Sequence, residues 1–231
     1  MNDYDPSLEP YLFRTYDHPS PDRSLEMFGL ADVVPIWKVA RATSAAPTYF
    51  KPITIEKKTF VDGGISFNNP AHVAFKEVNS MHEIDIKKAP DSQRQEYLRQ
   101  NEVAMLVSIG SGATGARSTL TPRPPHSGFR GLLSLLRYAI KSLTDAEGVH
   151  RTMVSLTQVA NDFHYSRINV MEGIGDIKLD ECKTKRVDGK RVNLTLEKIR
   201  TVTEEYLQRE NVRQELHKVA KQLVLRRRPY V

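Results

Sequence analysis

Hydrophobic and polar positions alternate between two periods along this chain. Tyr11, Leu12 and Phe13 form a compact apolar run that predicts a strand in need of a sheet to join. From Pro35 to Ala46, apolar and small residues recur at helical spacing (Ile36, Trp37, Val39, Ala40, Ala42, Ala45), and Pro47 stops the run. Tyr49 to Ile55 and then Phe60–Val61 read as paired strands with a tip at Lys57–Lys58. Asn69 and Pro70 are suited to cap and open a helix through Ala71, Val73, Ala74, Phe75 and Val78. Residues 80–100 are polar enough to read as a surface excursion. Val103 to Ile109 is a continuous apolar run, the pattern of a strand buried on both faces of a parallel sheet. Helical spacing returns over Phe129–Leu143 and Asp145–Val159, a strand is predicted over Tyr165–Val170, and Leu194–Leu207 and Val212–Leu225 read as helices. The alternation of strand and helix points to α/β layers with a largely parallel sheet.

Composition narrows the class. The chain has 231 residues, 39% hydrophobic and 27% charged, which suits a globular domain with a continuous core. No apolar run reaches the length of a membrane span. Met1 to Asp5 has neither the basic nor the apolar region of a signal peptide. The single cysteine, Cys182, excludes an internal disulfide and fits a reducing compartment. Net charge is +6, with much of the excess in Arg226, Arg227 and Arg228, a solvated terminal cluster without any nucleic-acid motif beside it.

Candidate chemistry gathers at Asp62. A short apolar run, Thr59–Phe60–Val61, delivers this carboxylate to a strand end, and Gly63 and Gly64 follow as turn residues. Asp-Gly is also ordinary turn chemistry, so the residue reads either as a site carboxylate or as a reverse-turn aspartate. His72, on the next helix, is within sequence reach as a partner or is a half-buried helical histidine. Gly110–Gly115 matches G-x-G-x-x-G after a strand, yet three prolines follow where a helix should open, so a tight strand-to-loop turn is the plainer reading. The seven histidines have no metal-ligand spacing, and no metal or cofactor is implied.

ARATSAAPTYF followed by FVDGGISFNNP, with YLFRTYDHP before and VSIGSG after, resembles the patatin-like phospholipase family. ANDFHYSRINV and GIGDIKLDE resemble closing segments of its fungal members. The resemblance implies a patatin-like three-layer α/β fold, a largely parallel central sheet flanked by helices. It implies a serine–aspartate dyad acting on acyl esters of phospholipids, acylglycerols or galactolipids, with Asp62 as general base and Gly63 and Gly64 supporting the motif. It also implies an acyl-lipid substrate, a peripheral membrane surface as partner, and a cytoplasmic location at membranes or lipid droplets. The nucleophile elbow G-x-S-x-G is nowhere in the chain. Ser111 lacks the frame, and Ser66 has Asn68 where glycine is required. The expectation is therefore the C-terminal part of a patatin domain over residues 1–180, N-terminally incomplete, with a helical extension over 181–231, inactive alone. The alternative is a non-catalytic lipid-binding or interaction module derived from such a domain.

Overall fold

A computed structural model describes residues 10–16, 34–88, 90–93, 103–112, 146–159, 163–175, 177–178 and 180–225. The described residues of Met1–Ala104 and Pro125–Phe163 form one compact unit, and those of Met105–Pro124 and His164–Val231 form a second.

In the first unit, helix α1 spans Ile36–Thr43 with Pro35 as its N-cap, and Arg41 lies in its last turn. Pro35 has an extended ψ of 137°, so it stands just outside the helix rather than within it. The helix also ends three residues before Ala46, at a Ser44 cap whose hydroxyl donates back to Ala40 O. Strands β1 (Ile53–Ile55) and β2 (Lys58–Phe60) pair antiparallel, Thr54 against Thr59. Their turn is Glu56–Lys57, one residue earlier than the sequence suggests, with Glu56 at φ 55°. Tyr49 and Phe50 fall in the loop before β1, where both amides donate to Ala46 O. A single 3₁₀ turn, Gly63–Ile65, leads towards helix α2, Ala71–Lys88. That helix runs eight residues beyond the predicted surface excursion's start, because Met, Glu and Lys in this polar stretch are good helix formers. Another 3₁₀ turn occupies Asp91–Gln93. Helix α3, Ala146–Val159, packs on α2, and Met153 is fully buried. Phe75 and Phe163 meet with ring centroids 4.7 Å apart.

Tyr11–Phe13 joins no sheet among the described residues. Its rings instead surround Phe60 at 5.0 and 5.2 Å, an edge-on cluster that uses aromatic surface rather than backbone pairing. The segment is clipped to α2 by Arg14, which forms a two-pronged ion pair with Glu77, the second prong at 2.7 Å. Tyr16 donates to the same carboxylate at 3.1 Å.

In the second unit, β3 (Met105–Ile109) and β4 (His164–Ile168) pair in parallel, Val107 opposite Ser166. This parallel pair, with the helices around it, matches the mixed α/β class that the sequence suggests. β3 is half-buried rather than buried on both faces, and Ile109 is exposed, since β4 is its one neighbour among the described residues. A hairpin not foreseen in the sequence follows, β5 (Thr184–Val187) with β6 (Lys190–Asn193). Helix α4, Leu194–Leu207, starts at an Asn193 cap, and α5, Glu210–Leu225, packs on β4 and buries Val212 and Val219. Those two valines are seven apart, two turns along one face. Phe129–Leu143 and Arg226–Arg228 lie outside the described residues. Among the described residues no helix is long and apolar enough to cross a membrane.

Candidate active site

Asp62 lies two residues beyond β2, and three contacts fix it. Its backbone N–H donates to Ala45 O at 3.2 Å, tying it to the buried end of the α1 segment. Its carbonyl accepts from Ile65 N at 3.1 Å, closing the 3₁₀ turn. Its Oδ1 accepts from Gly64 N at 2.6 Å, so the side chain caps the same turn. Cap and site readings of this aspartate thus coexist: one oxygen is committed to the turn. Among the described residues Oδ2 accepts no hydrogen bond, and the residue is half-buried. A carboxylate held by one oxygen and open at the other can orient and accept a proton.

The two glycines differ. Neither adopts the left-handed conformation. A Cβ on Gly63 would meet nothing within 4 Å, so the expectation that both glycines are needed for a sharp turn holds only at position 64. There a Cβ would come within 3.0 Å of Asp62 Oδ1.

The flanking motif residues build the frame. Ala42 and Ala45 are almost fully buried, the close approach that small side chains permit. Thr48 sits at φ 73°, a strained conformation for a β-branched residue that costs about 1–3 kcal/mol. Asn69 is buried and works twice. Its Oδ1 accepts from Ala71 N at 3.3 Å, capping α2, and its Nδ2 donates to Ala146 O at 3.0 Å, at the start of α3. The first of these is legible in the Asn-Pro signature, whereas the second joins residues 77 apart and has no local signal.

Other sequence candidates separate from this carboxylate. No hydrogen bond or ion pair joins His72 to Asp62 among the described residues. Ser66 closes the 3₁₀ turn, its N–H on Gly63 O. The amides of Gly110 and Gly112 are occupied: Gly110 N donates to Ile168 O at 2.8 Å and Gly112 N to Asn169 Oδ1 at 2.9 Å. The described part of the G-x-G-x-x-G run is thus a tight turn at the strand's carboxyl end, carrying Ser111, and residues 113–115 lie outside the described residues. Cys182 is exposed and accepts from Asn193 Nδ2 at 3.2 Å. No group of three or more metal-ligating side chains occurs among the described residues.

Residues 10–75 match the family model described as patatin-like phospholipase. This span contains Asp62 and the three residues bonded to it, Ala45, Gly64 and Ile65, together with Asn69. Over these residues the chain is similar to the patatin-like phospholipase family. It is 28% identical over 203 residues to the 85/88 kDa calcium-independent phospholipase A2 of Rattus norvegicus, covering 78% of this chain and 23% of that protein. Patatin-like phospholipase 1 of Plasmodium falciparum is 28% identical over 190 residues, 77% of this chain and 26% of its own length. Calcium-independent phospholipase A2-gamma of Homo sapiens is 27% identical over 213 residues, 91% of this chain and 22% of its own. The chain thus spans about a quarter of the length of these relatives.

Proposed function

We propose that this chain supplies the general base, Asp62, of a lipid acyl hydrolase whose nucleophilic serine lies outside these 231 residues. The observation that carries the reading is the carboxylate itself, anchored through Oδ1 to Gly64 N at 2.6 Å with Oδ2 uncommitted, inside the segment shared with the family. The phospholipase names of the relatives support an acyl-lipid substrate. In the reaction a serine Oγ attacks the acyl carbonyl while its proton passes to Asp62 Oδ2. Backbone N–H groups stabilise the resulting oxyanion. The tetrahedral intermediate then collapses, and Asp62 returns the proton to the departing alkoxide. Water, deprotonated by the same carboxylate, then attacks the acyl-serine, and Asp62 returns that proton to the departing serine Oγ as the fatty acid leaves.

The test is complementation. The chain is fused behind the G-x-S-x-G segment of a family member and assayed on phosphatidylcholine and a p-nitrophenyl acyl ester. Turnover is expected in the fusion and not in the chain alone, and Asp62→Asn should lower kcat by about 10³-fold or more. A fusion indifferent to Asp62→Asn removes the base role. Turnover by the chain alone that Asp62→Ala abolishes would move the nucleophile into these residues. The absence of G-x-S-x-G favours a second reading, a non-catalytic lipid-binding module, and a fusion that binds vesicles without hydrolysis would select it.

A further inference from the structure

We propose that the start of α1, the α1–β1 loop and the end of β2 together form a docking surface for an anionic phospholipid interface. The proposal deepens, and rests on, the reading of Asp62 as part of a lipid-ester site. Five large apolar side chains lie exposed here: Ile36 at 86%, Trp37 at 62%, Phe50 at 56%, Val61 at 49% and Tyr49 at 44%. Residues of these types are ordinarily buried, and their clustering marks an interaction surface. On α1 the exposed positions 36, 37, 40 and 43 share one face, so the two bulkiest residues of that face point to solvent by helix geometry. Two contacts tie the patch together. Arg41 reaches from α1 to stand 5.1 Å over the Phe50 ring and donates to Lys51 O. Asp62 N bonds Ala45 O, which brings Val61 beside the end of the α1 segment.

Charge selects the occupant. From residue 34 to 62 the cations are Lys38, Arg41, Lys51, Lys57 and Lys58, against Glu56 and Asp62. Lys38 stands 5.6 Å over Trp37 and Lys58 5.1 Å over Tyr11. An aromatic and aliphatic patch with cationic side chains over two of its rings, Lys38 on Trp37 and Arg41 on Phe50, is complementary to a headgroup layer over acyl chains. The rings enter the apolar boundary while lysine and arginine stay with the phosphates. Val61 immediately precedes Asp62, so a lipid seated on this patch has its ester linkages adjacent to the carboxylate.

Trp37 is the single tryptophan of the chain, so its emission reports this surface directly. The full chain is titrated with vesicles of phosphatidylcholine, with and without phosphatidylserine, and with brominated acyl chains. The expected result is a blue shift and bromolipid quenching that strengthen with phosphatidylserine and weaken as salt rises. Ile36→Ser with Phe50→Ser should weaken vesicle affinity about tenfold or more while keeping the reporter. Lys51→Glu with Lys57→Glu should remove the anionic preference. Unshifted, unquenched emission on anionic vesicles overturns the proposal, as does binding indifferent to Ile36→Ser/Phe50→Ser. Emission already blue-shifted without lipid, in a chain that sediments as a dimer, assigns the patch to a second copy and overturns it too. Asp62→Asn should bind vesicles like the parent chain. Lost vesicle binding in a fusion that still hydrolyses a soluble ester refutes the surface alone, whereas intact vesicle binding with Asp62-independent turnover refutes the base alone.

Discussion

An alanine at position 64 would carry its Cβ to 3.0 Å from Asp62 Oδ1, the oxygen that this position's own amide holds at 2.6 Å. Either the carboxylate rotates away or the turn opens, and both outcomes release the anchor. Gly64→Ala should therefore lower the activity of a serine-complemented enzyme by about tenfold or more, consistent with the sensitivity of catalysis to small misplacement. Gly63→Ala should leave activity intact and shift stability by no more than about 0.5 kcal/mol in urea unfolding. A third glycine is under harder constraint. A Cβ on Gly110 would fall 2.3 Å from Asn169 Oδ1, and that side chain is buried and held by Gly112 N. Gly110→Ala should destabilise by about 1–3 kcal/mol, read from the urea midpoint. At this scale the sequence disclosed the carboxylate through its strand-Asp-Gly-Gly context. It could not distinguish the two glycines, because the difference lies in which atoms a missing Cβ would meet.

Between elements, the Arg14–Glu77 pair does the fastening that a strand was expected to do. The side chains of Arg14 and Glu77 are 3% and 9% exposed, so removing Glu77 takes a bidentate ion pair from a buried guanidinium. Glu77→Ala should cost about 3–5 kcal/mol, and the double change Arg14→Met/Glu77→Leu should recover much of that loss. Differential scanning calorimetry of the parent chain and the two variants checks both statements. Burial and then the neighbouring Glu77 carboxylate raise the Tyr16 hydroxyl above its ordinary pKa of 10.0. The folded state then holds the Tyr16 proton more tightly than the unfolded chain does. Its contribution is full below pH 10.0 and lost as pH climbs through the raised value, so the melting temperature should fall above that point, less steeply in Tyr16→Phe. Periodicity revealed α1, α3, α4 and α5 to within a few residues, since each carries apolar positions on one face. The β5–β6 hairpin also had its signal, Asp188-Gly189, whose φ angles of 51° and 78° are those the turn requires. The Arg14 clamp had none, because its partners are 63 residues apart.

Over the whole molecule, each unit draws on separate stretches of chain, which no local pattern announces. The family resemblance was legible because residues 10–75 keep their motifs in order, whereas the layering of the sheet is a matter of long-range pairing. That pairing has a temporal side. β5 and β6 are joined by two residues and can zip within microseconds. β3 must wait for β4 until the chain from Gly110 to Phe163 has been made. At roughly 5–20 residues per second of synthesis the wait is several seconds, and in refolding it is a large loop closure. Pulse-labelled hydrogen exchange should therefore protect the amides of Lys185 and Val192 before those of Val107 and Ser166. During that interval Leu106, Val107 and Ile109 present an unpaired apolar strand, the moment at which a chaperone would have most to hold.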